Sequence, residues 1–516
     1  MESEIKNFYK DKTVFLTGAS GFLGRVIIEK LLRETEVRRI YALIRPKRGK
    51  NIQERIVEWK TVPLFEVLLK AKPDALDRVI GINGDCAEPD LGISSVDRKL
   101  LLQQVELVVH SAATVSFAEP LHVAFDINTR ATRCMLQLAK QMPRLRAFVH
   151  ISTAYSNCVI HHITDRFYPE HLSCNVSQVL QLRETLSTDL FDRMAPALLD
   201  KFPNTYTYTK ALAEQLIETE AGDLPVCVFR PAAIVASHKE PVTGWIDNLY
   251  GPIALLYGVA IGVLRVAPVN KQAPSNFVPV DGCSNLALAA AWRTAEDSEQ
   301  RRKNPAVPAP ATIYNYVPTG ENSIRHEYFM RAAENERTDC LLPQCIWYPF
   351  LHTTKIVWLY KLATIFYHLI PGYLIDVALR LRGQKPRMIR IYDKIHKNID
   401  VMQRFLLESW TFETPNVDRL WQCMSPVDQQ LFDFNLNSLN WEKYLQQAFF
   451  GMCLYLSAVP ITEETLKRSL QKMKRFLILH RLLQFSLICI AILWPAHKGV
   501  PSQSQSQSQS QSQSSV

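Results

Sequence analysis

Lys12-Thr13-Val14-Phe15-Leu16-Thr17-Gly18-Ala19-Ser20-Gly21-Phe22-Leu23-Gly24 decides the fold of this chain. Its first part reads as a buried strand, because a short apolar run closed by glycine suits a strand covered on both faces. Val26, Ile27, Ile28, Leu31 and Leu32 then recur at helical spacing, which predicts a helix over about 22–33. A strand, glycine turn and helix of this kind wrap a dinucleotide pyrophosphate. One glycine lets the turn bend sharply, another lets the backbone approach phosphate, and the helix N-terminus offers unpaired N–H groups to the anion. Thr17, Gly18, Ser20, Gly21, Phe22, Leu23 and Gly24 are therefore candidate cofactor-binding residues. Three glycines alone would also suit a turn that needs only unusual dihedrals; the flanking strand and helix weigh against that plainer reading.

Outward from the turn, Ile40-Tyr41-Ala42-Leu43-Ile44 is a second strand, ending in Arg45-Pro46-Lys47-Arg48-Gly49-Lys50. In a Rossmann unit this strand end faces the adenosine ribose, where an acid favours an unphosphorylated ribose. A basic cluster favours the 2'-phosphate instead, through charge-assisted hydrogen bonds. The expected cofactor is NADPH, with Arg45 the best reader; a solvated basic loop is the alternative. Residues 51–75 read as helical. Arg78 to Asp85 is a third strand, with Asp85 placed near the adenine side, and residues 95–104 form a helix. Val105 to Ser111 is a strand running into Ala112 and Ala113, whose small side chains let backbone and cofactor approach. Asn128 starts or supports the next helix. Phe148 to Ile151 is another strand, ending in Ser152-Thr153-Ala154-Tyr155, with His150 read as a satisfied core histidine. The long stretch 157–205 is expected to hold short helices and to cover a substrate site. Val226 to Pro231 is a later strand, and Asn276 to Asp281 one more before a helix at about 283–295. The apolar segment from Leu249 to Val266 either lines an acyl channel or packs as ordinary core. This alternation predicts an α/β fold, a doubly wound, mostly parallel sheet of Rossmann type.

The chemistry centres on Tyr206-Thr207-Tyr208-Thr209-Lys210, which opens a helix. Tyr206 and Lys210 are four apart and share a face. A lysine ammonium beside a phenol stabilises phenolate and lowers the tyrosine pKa. The tyrosine can then pass a proton to a carbonyl oxygen as hydride arrives. Thr153 can hold that oxygen with its hydroxyl, with Ser152 the competing assignment. Tyr206 and Lys210 are also candidate cofactor-binding residues, since the lysine can bind the nicotinamide ribose as well. Tyr208 has Leu212 at the corresponding spacing and gains no cation; Tyr155 also lacks the lysine. One Tyr-x-x-x-Lys pair is weak by itself. Its position after a glycine turn, a basic strand end and a Ser-Thr pair is what carries weight.

The 516 residues can hold two or more units with full cores, and 47% apolar with 21% charged residues suits a globular protein with possible membrane contact. A formal charge of +9 suits anionic cofactors, anionic substrates or a lipid surface, without a concentrated reader of nucleic acid. The eleven cysteines show neither a CxxC pair nor metal-ligand spacing, so no metal is expected and a reducing compartment is. The charged start argues against a signal peptide, and Asn175-Val176-Ser177 is not expected to be glycosylated. Residues 476–494 carry an apolar run behind Lys472-Met473-Lys474-Arg475, which reads as a tilted or monotopic membrane segment with the basic side cytosolic. A buried terminal helix is the plainer alternative. The Ser-Gln repeat at 501–516 is low-complexity and expected to be disordered.

The chain resembles the extended short-chain dehydrogenase/reductases, and within them the alcohol-forming fatty acyl-CoA reductases. The resemblance rests on Thr17 to Gly24, His110-Ser111-Ala112-Ala113-Thr114-Val115, His150 to Tyr155, Asn204 to Lys210, Phe229-Arg230-Pro231 and Phe277-Val278-Pro279-Val280-Asp281. It implies an NADPH-binding catalytic domain over 1–300, a connecting region over 301–354 and the family's helical C-terminal domain over 355–450. It also implies reduction of long-chain fatty acyl-CoA to a primary alcohol in two hydride transfers. Carried over residue by residue, the cofactor loop falls on Gly18, Gly21 and Gly24, the catalytic pair on Tyr206 and Lys210, and the hydroxyl on Thr153. A membrane site is implied with the catalytic domain facing the cytosol, the peroxisome favoured over the endoplasmic reticulum; the oligomeric state stays open. The competing readings are a membrane-associated sterol or sugar-nucleotide dehydrogenase or epimerase, and a non-catalytic tether that binds cofactor.

Overall fold

The computed structural model describes residues 2–46, 49–303, 311–335, 342–457 and 459–498. Seven parallel strands make one sheet: β1 (Thr13–Thr17), β2 (Arg39–Ile44), β3 (Val79–Asn83), β4 (Leu107–His110), β5 (Ala147–Ile151), β6 (Val226–Pro231) and β7 (Thr312–Tyr316). Their spatial order is β3-β2-β1-β4-β5-β6-β7. The order reverses between β1 and β4, and ligands of such sheets bind at the strand ends beside that reversal.

Both faces of the sheet are covered, which explains the unbroken apolar runs. On one face Val14, Leu16, Val149 and Phe229 pack against α1 (Phe22–Glu34) and a long helix at Val280–Lys303. On the other, Phe15, Val108, Phe148 and Val228 pack against Ala131–Ala139 and the end of α2 (Thr205–Glu220). The two-residue period of a strand sends alternate side chains to these two layers.

Several local expectations are revised. The stretch 51–75 is not one helix: Ile52–Val57 and Glu66–Ala71 are separated by short 3-10 turns, one starting at Pro63, which has no N–H to continue an α-helix. Asn128 does not start a helix but lies in a π turn, Asp126–Arg130, inside a helical run that begins at Leu121. Its amide accepts from the Thr114 N–H at 3.0 Å and donates to the Thr209 hydroxyl at 3.0 Å, tying a loop to α2. His150 is fully buried, yet both ring nitrogens lack a hydrogen-bond partner. Burial holds it neutral, against the ring of His110 at 5.5 Å. Phe277–Pro279 pairs with Ala233–Val235 outside the main sheet. The seventh strand is Thr312–Tyr316, beyond residue 300, in the stretch read as a connection. Among the described residues nine cysteines are free thiols.

After β7 the chain is mostly helical. Its helices include α3 (Val357–Leu381, with a π turn at Ile365–Leu369), α4 (Met388–Leu407), α5 (Trp441–Leu456) and α6 (Glu463–Lys498). The segment 476–494 lies inside α6, and the side chains beyond Cys489 are outside the described residues. The repeat at 501–516 is also outside them. Among the described residues, α3 is long and apolar enough to cross a membrane by length and composition.

A buried ion pair locks α2 to the sheet. The Arg230 guanidinium, at the end of β6, donates to Glu214 of α2 through Nε at 2.9 Å and Nη2 at 2.6 Å. Arg230 is 0% exposed and Glu214 2%. The same guanidinium reaches the carbonyls of Thr164 and Arg166, and the carboxylate accepts from Ser152 and Asn157. Removing one partner strands a buried charge. Arg230→Met is expected to lower unfolding stability by about 3–5 kcal/mol, read by urea denaturation. Breaking the exposed pair Glu66–Lys70 in the same way is expected to leave the urea midpoint nearly unchanged, because solvent screens that pair.

Candidate active site

The ends of β1, β4 and β5 open on a cavity of about 890 Å³. Gly18 turns the chain out of β1 with φ +71°, the left-handed region that glycine adopts without strain. A Cβ on Gly18 would sit 2.7 Å from the Ala112 backbone nitrogen, and one on Gly24 would sit 2.2 Å from the Gly18 carbonyl oxygen. The turn is thus folded tightly against the start of α1, whose Gly21 cap supplies no side-chain hydrogen bond. Gly18, Ser20, Gly21, Phe22, Leu23 and Gly24 all line the cavity. This is a helix N-terminus with backbone amides at a cavity wall, which fits a dinucleotide pyrophosphate.

Arg45, Asp85, Ala112 and Ala113 line the same cavity. Asp85 accepts from the Ala87 N–H at 3.0 Å, which fixes its turn. Of the basic cluster after β2, Arg45 reaches the cavity wall and Lys50 pairs with Glu58, whereas Lys47 and Arg48 lie outside the described residues. Thr17 is the exception among the predicted cofactor residues. It is fully buried behind the wall, where its hydroxyl accepts from the Ala112 N–H at 3.2 Å and meets His110 Nδ1 at 2.7 Å. Thr17 holds the Ala112 backbone and does not face the cavity.

Thr153, Tyr206 and Lys210 converge on the cavity from β5 and α2. Asn204 caps α2 by accepting from the Thr207 N–H at 2.9 Å, which sets Tyr206 in the first turn. Lys210, one turn on, donates to the Ile151 carbonyl at 2.7 Å. The Thr153 hydroxyl hydrogen-bonds the Tyr206 phenol. The expected lowering of the tyrosine pKa is not found. Burial pushes the phenol up to about 12, opposed by the Thr153 hydrogen bond, because the Lys210 cation is directed at the Ile151 carbonyl. Burial in turn brings the lysine down to about 8, against the opposing pull of Glu214. Ser152, the competing hydroxyl, donates to Glu214. Cys86 is also on the wall, its thiol pushed up to about 12 by burial and therefore protonated.

The rest of the wall was not legible from motifs. Phe117 stacks on Tyr206 with ring centres 5.6 Å apart and meets Phe405 of α4 at 5.5 Å. Tyr155, set aside for want of a lysine, lines the cavity and accepts from Asn276 Nδ2 at 3.3 Å. The helix Gly251–Ala260, left open between channel and core, contributes Leu255, Leu256 and Val259 to the wall. Phe117 had a faint signal, a bulky aromatic in a polar loop just past Ala112-Ala113. Phe405 had none, since it reaches the site only through the packing of a distant helix. Among the described residues no group of three or more His, Cys, Asp or Glu is placed to hold a metal.

Residues 16–287 match the family described as male sterility protein, and residues 367–458 match a second profile of the same description. "Fatty acyl-CoA reductase wat" of Drosophila melanogaster is 38% identical over 479 residues, covering 93% of this chain and 90% of that protein. The chain belongs to the fatty acyl-CoA reductase family. "Fatty acyl-CoA reductase 1" of Homo sapiens is 34% identical, covering 88% of this reductase and 86% of that protein. A reductase domain of a nonribosomal peptide synthetase from Mycobacterium tuberculosis shares the reductase's fold, with a TM-score of 0.54 at 18% identity over 87% of this chain and 93% of that one. With its dinucleotide cradle, the reductase is an NAD(P)H-dependent oxidoreductase. Gly24→Val is expected to weaken NAD(P)H binding at least tenfold in a fluorescence titration with the fold retained by circular dichroism, because the side chain would collide with the Gly18 carbonyl.

Proposed function

We propose that the reductase converts long-chain fatty acyl-CoA to the primary alcohol, releasing CoA and consuming two NADPH. The observation that carries this is one cavity joining the glycine cradle and the Thr153–Tyr206–Lys210 set to an apolar wall from Gly251–Ala260 and α4. Likeness to fatty acyl-CoA reductases supports the substrate class. Arg45 at the end of β2 supports NADPH over NADH, since a guanidinium pairs with a 2'-phosphate. Gly18, Gly21 and Gly24 would hold the pyrophosphate of each of two NADPH molecules bound in turn, and each would supply one hydride, the first to the thioester carbonyl and the second, after the oxidised cofactor is exchanged, to the aldehyde.

The residues' own part is proton and charge management. With its pKa near 12, Tyr206 stays protonated at neutral pH and donates to the oxygen that gains charge as hydride adds. Thr153 orients that phenol, and the Lys210 ammonium lends positive charge to the same wall. The first addition yields a hemithioacetal, which loses its hydroxyl proton and expels CoA thiolate, leaving an aldehyde; the thiolate takes up a proton. The aldehyde receives the second hydride and a second proton from Tyr206. No cysteine nucleophile is required, and the protonated Cys86 thiol is poorly suited to be one. The chain's membrane association is best placed with the catalytic domain facing the cytosol. The peroxisomal membrane is favoured, on the resemblance alone.

Palmitoyl-CoA with NADPH is expected to give hexadecanol, one free CoA and two oxidised cofactors per alcohol. Oxidation of a sterol or sugar nucleotide without CoA release would reject the reading. Tyr206→Phe is expected to lower alcohol formation about 10²–10⁴-fold, the range for losing a positioned acid, while NADPH affinity stays within about twofold. Arg45→Asp should reverse the preference between NADPH and NADH, measured as the ratio of kcat/KM. The Lys210 cation is present below about pH 8 and lost above it, so kcat/KM should fall as pH rises through that region. Tyr206, titrating near 12, contributes nothing to that limb.

A further inference from the structure

Helix α3 presents two unlike faces. Tyr360, Thr364, His368, Gly372 and Asp376 recur every four residues and are buried. They hold the helix to the protein by specific polar and steric contacts. His368 Nε2 accepts from the Arg265 N–H at 3.0 Å, and Gly372 lies so close to Tyr392 that a Cβ would sit 2.9 Å from its ring. The Asp376 carboxylate caps α4, accepting from the N–H groups of Arg387, Met388 and Ile389 at 2.8, 2.8 and 3.0 Å.

The opposite face is apolar and exposed. Trp358 is 67% exposed, Phe366 61%, Tyr373 60% and Leu374 63%, with Leu362 and Ile370 between them. Between Lys361 and Arg380 no exposed residue carries a charge, a stretch of roughly 27 Å at 1.5 Å per residue. Exposed basic residues bracket it: Lys355 and Lys361 at one end, Arg380, Arg382 and Lys385 at the other. A long apolar stripe of this size marks an interaction surface. Basic residues at its ends complement lipid phosphates, and Trp and Tyr along it are side chains favoured at the headgroup boundary.

Although α3 is long and apolar enough to cross a bilayer, its geometry does not suit crossing. A spanning helix leaves the folded domain along its length, whereas the buried face of α3 would expose His368 and Asp376 to hydrocarbon and uncap α4. We propose that α3 lies in the plane of a phospholipid surface, its inner face on the enzyme and its outer face among the acyl chains near the headgroups. This deepens the acyl-CoA reading by giving the substrate's chain a route. Phe350 lines the cavity and packs between Tyr367 of α3 at 5.9 Å and His480 of α6 at 4.8 Å. The apolar end of the cavity therefore reaches the seam between α3 and α6, whose Leu482, Leu483, Phe485 and Ile488 are exposed too. Long chains pass between the cavity and the bilayer at that seam.

The test uses the full chain on vesicles of phosphatidylcholine with 20% phosphatidylserine, carrying nitroxide at the 5- or 12-position of an acyl chain. Fluorescence lost between wild type and Trp358→Phe isolates Trp358. The expected result is quenching of Trp358 at least twofold stronger by the 5-position label. Quenching by neither label, or stronger quenching from the 12-position, overturns in-plane docking. In parallel, Phe366→Glu/Tyr373→Glu/Leu374→Glu is compared with wild type on palmitoyl-CoA held in vesicles and on soluble octanoyl-CoA. The expected result is a fall of at least fivefold in kcat/KM for the first with the second within twofold. Equal rates on both, loss of both together, or dissociation of a wild-type dimer in sedimentation with no change on vesicles overturns the lipid assignment. Quenching requires no turnover, so a failed docking is distinguishable from a wrong substrate class.

Discussion

The Arg230–Glu214 pair is the constraint on which the site depends. An arginine at the end of β6 and a glutamate on α2 are both removed from water, and each compensates the other through two short hydrogen bonds. A buried pair of this kind adds little net stability over apolar residues, but it tolerates almost no displacement. That rigidity falls on α2, one turn from Lys210 and two from Tyr206. The second arm of the network runs through Ser152 and Asn157 on either side of Thr153. The three groups assigned to proton transfer are thus referred to one carboxylate.

The same arrangement explains the protonation states. Excluding water raises the Tyr206 phenol and depresses the Lys210 ammonium, so burial separates a proton holder from a labile cation. Proximity on one helix face makes lysine the expected dominant influence on tyrosine. The Ile151 carbonyl at the end of β5 takes the ammonium instead, because the parallel sheet leaves that oxygen at the strand end. Helix spacing identifies which side chains share a face, but not what each one bonds.

Other departures have equally local causes. Thr312–Tyr316 carries little strand signal because it follows a proline-rich stretch and contains a buried asparagine, whose amide donates to the Glu413 carbonyl far along the chain. Thr17 belongs to the motif yet works behind the wall, because the last residue of a strand alternates away from the turn it feeds. The apolar strand around His150 specifies its burial but not its hydrogen bonding, which is decided by neighbours on β4 that the local pattern does not specify.

What the sequence determined by itself was whatever depends on short spacing. It set the strand, glycine turn and helix of residues 13–34, the face shared by Tyr206 and Lys210, and the small residues after β4, because backbone geometry translates those spacings directly into place. Tertiary structure alone decided what depends on distant partners. It brought Phe405 against Phe117 at the site, opposed Arg230 to Glu214, and turned one face of α3 inward while leaving the other bare. An apolar helix reads the same in sequence whether it is buried, spans a membrane or lies on one; only the protein packed against His368 and Asp376 separates these outcomes.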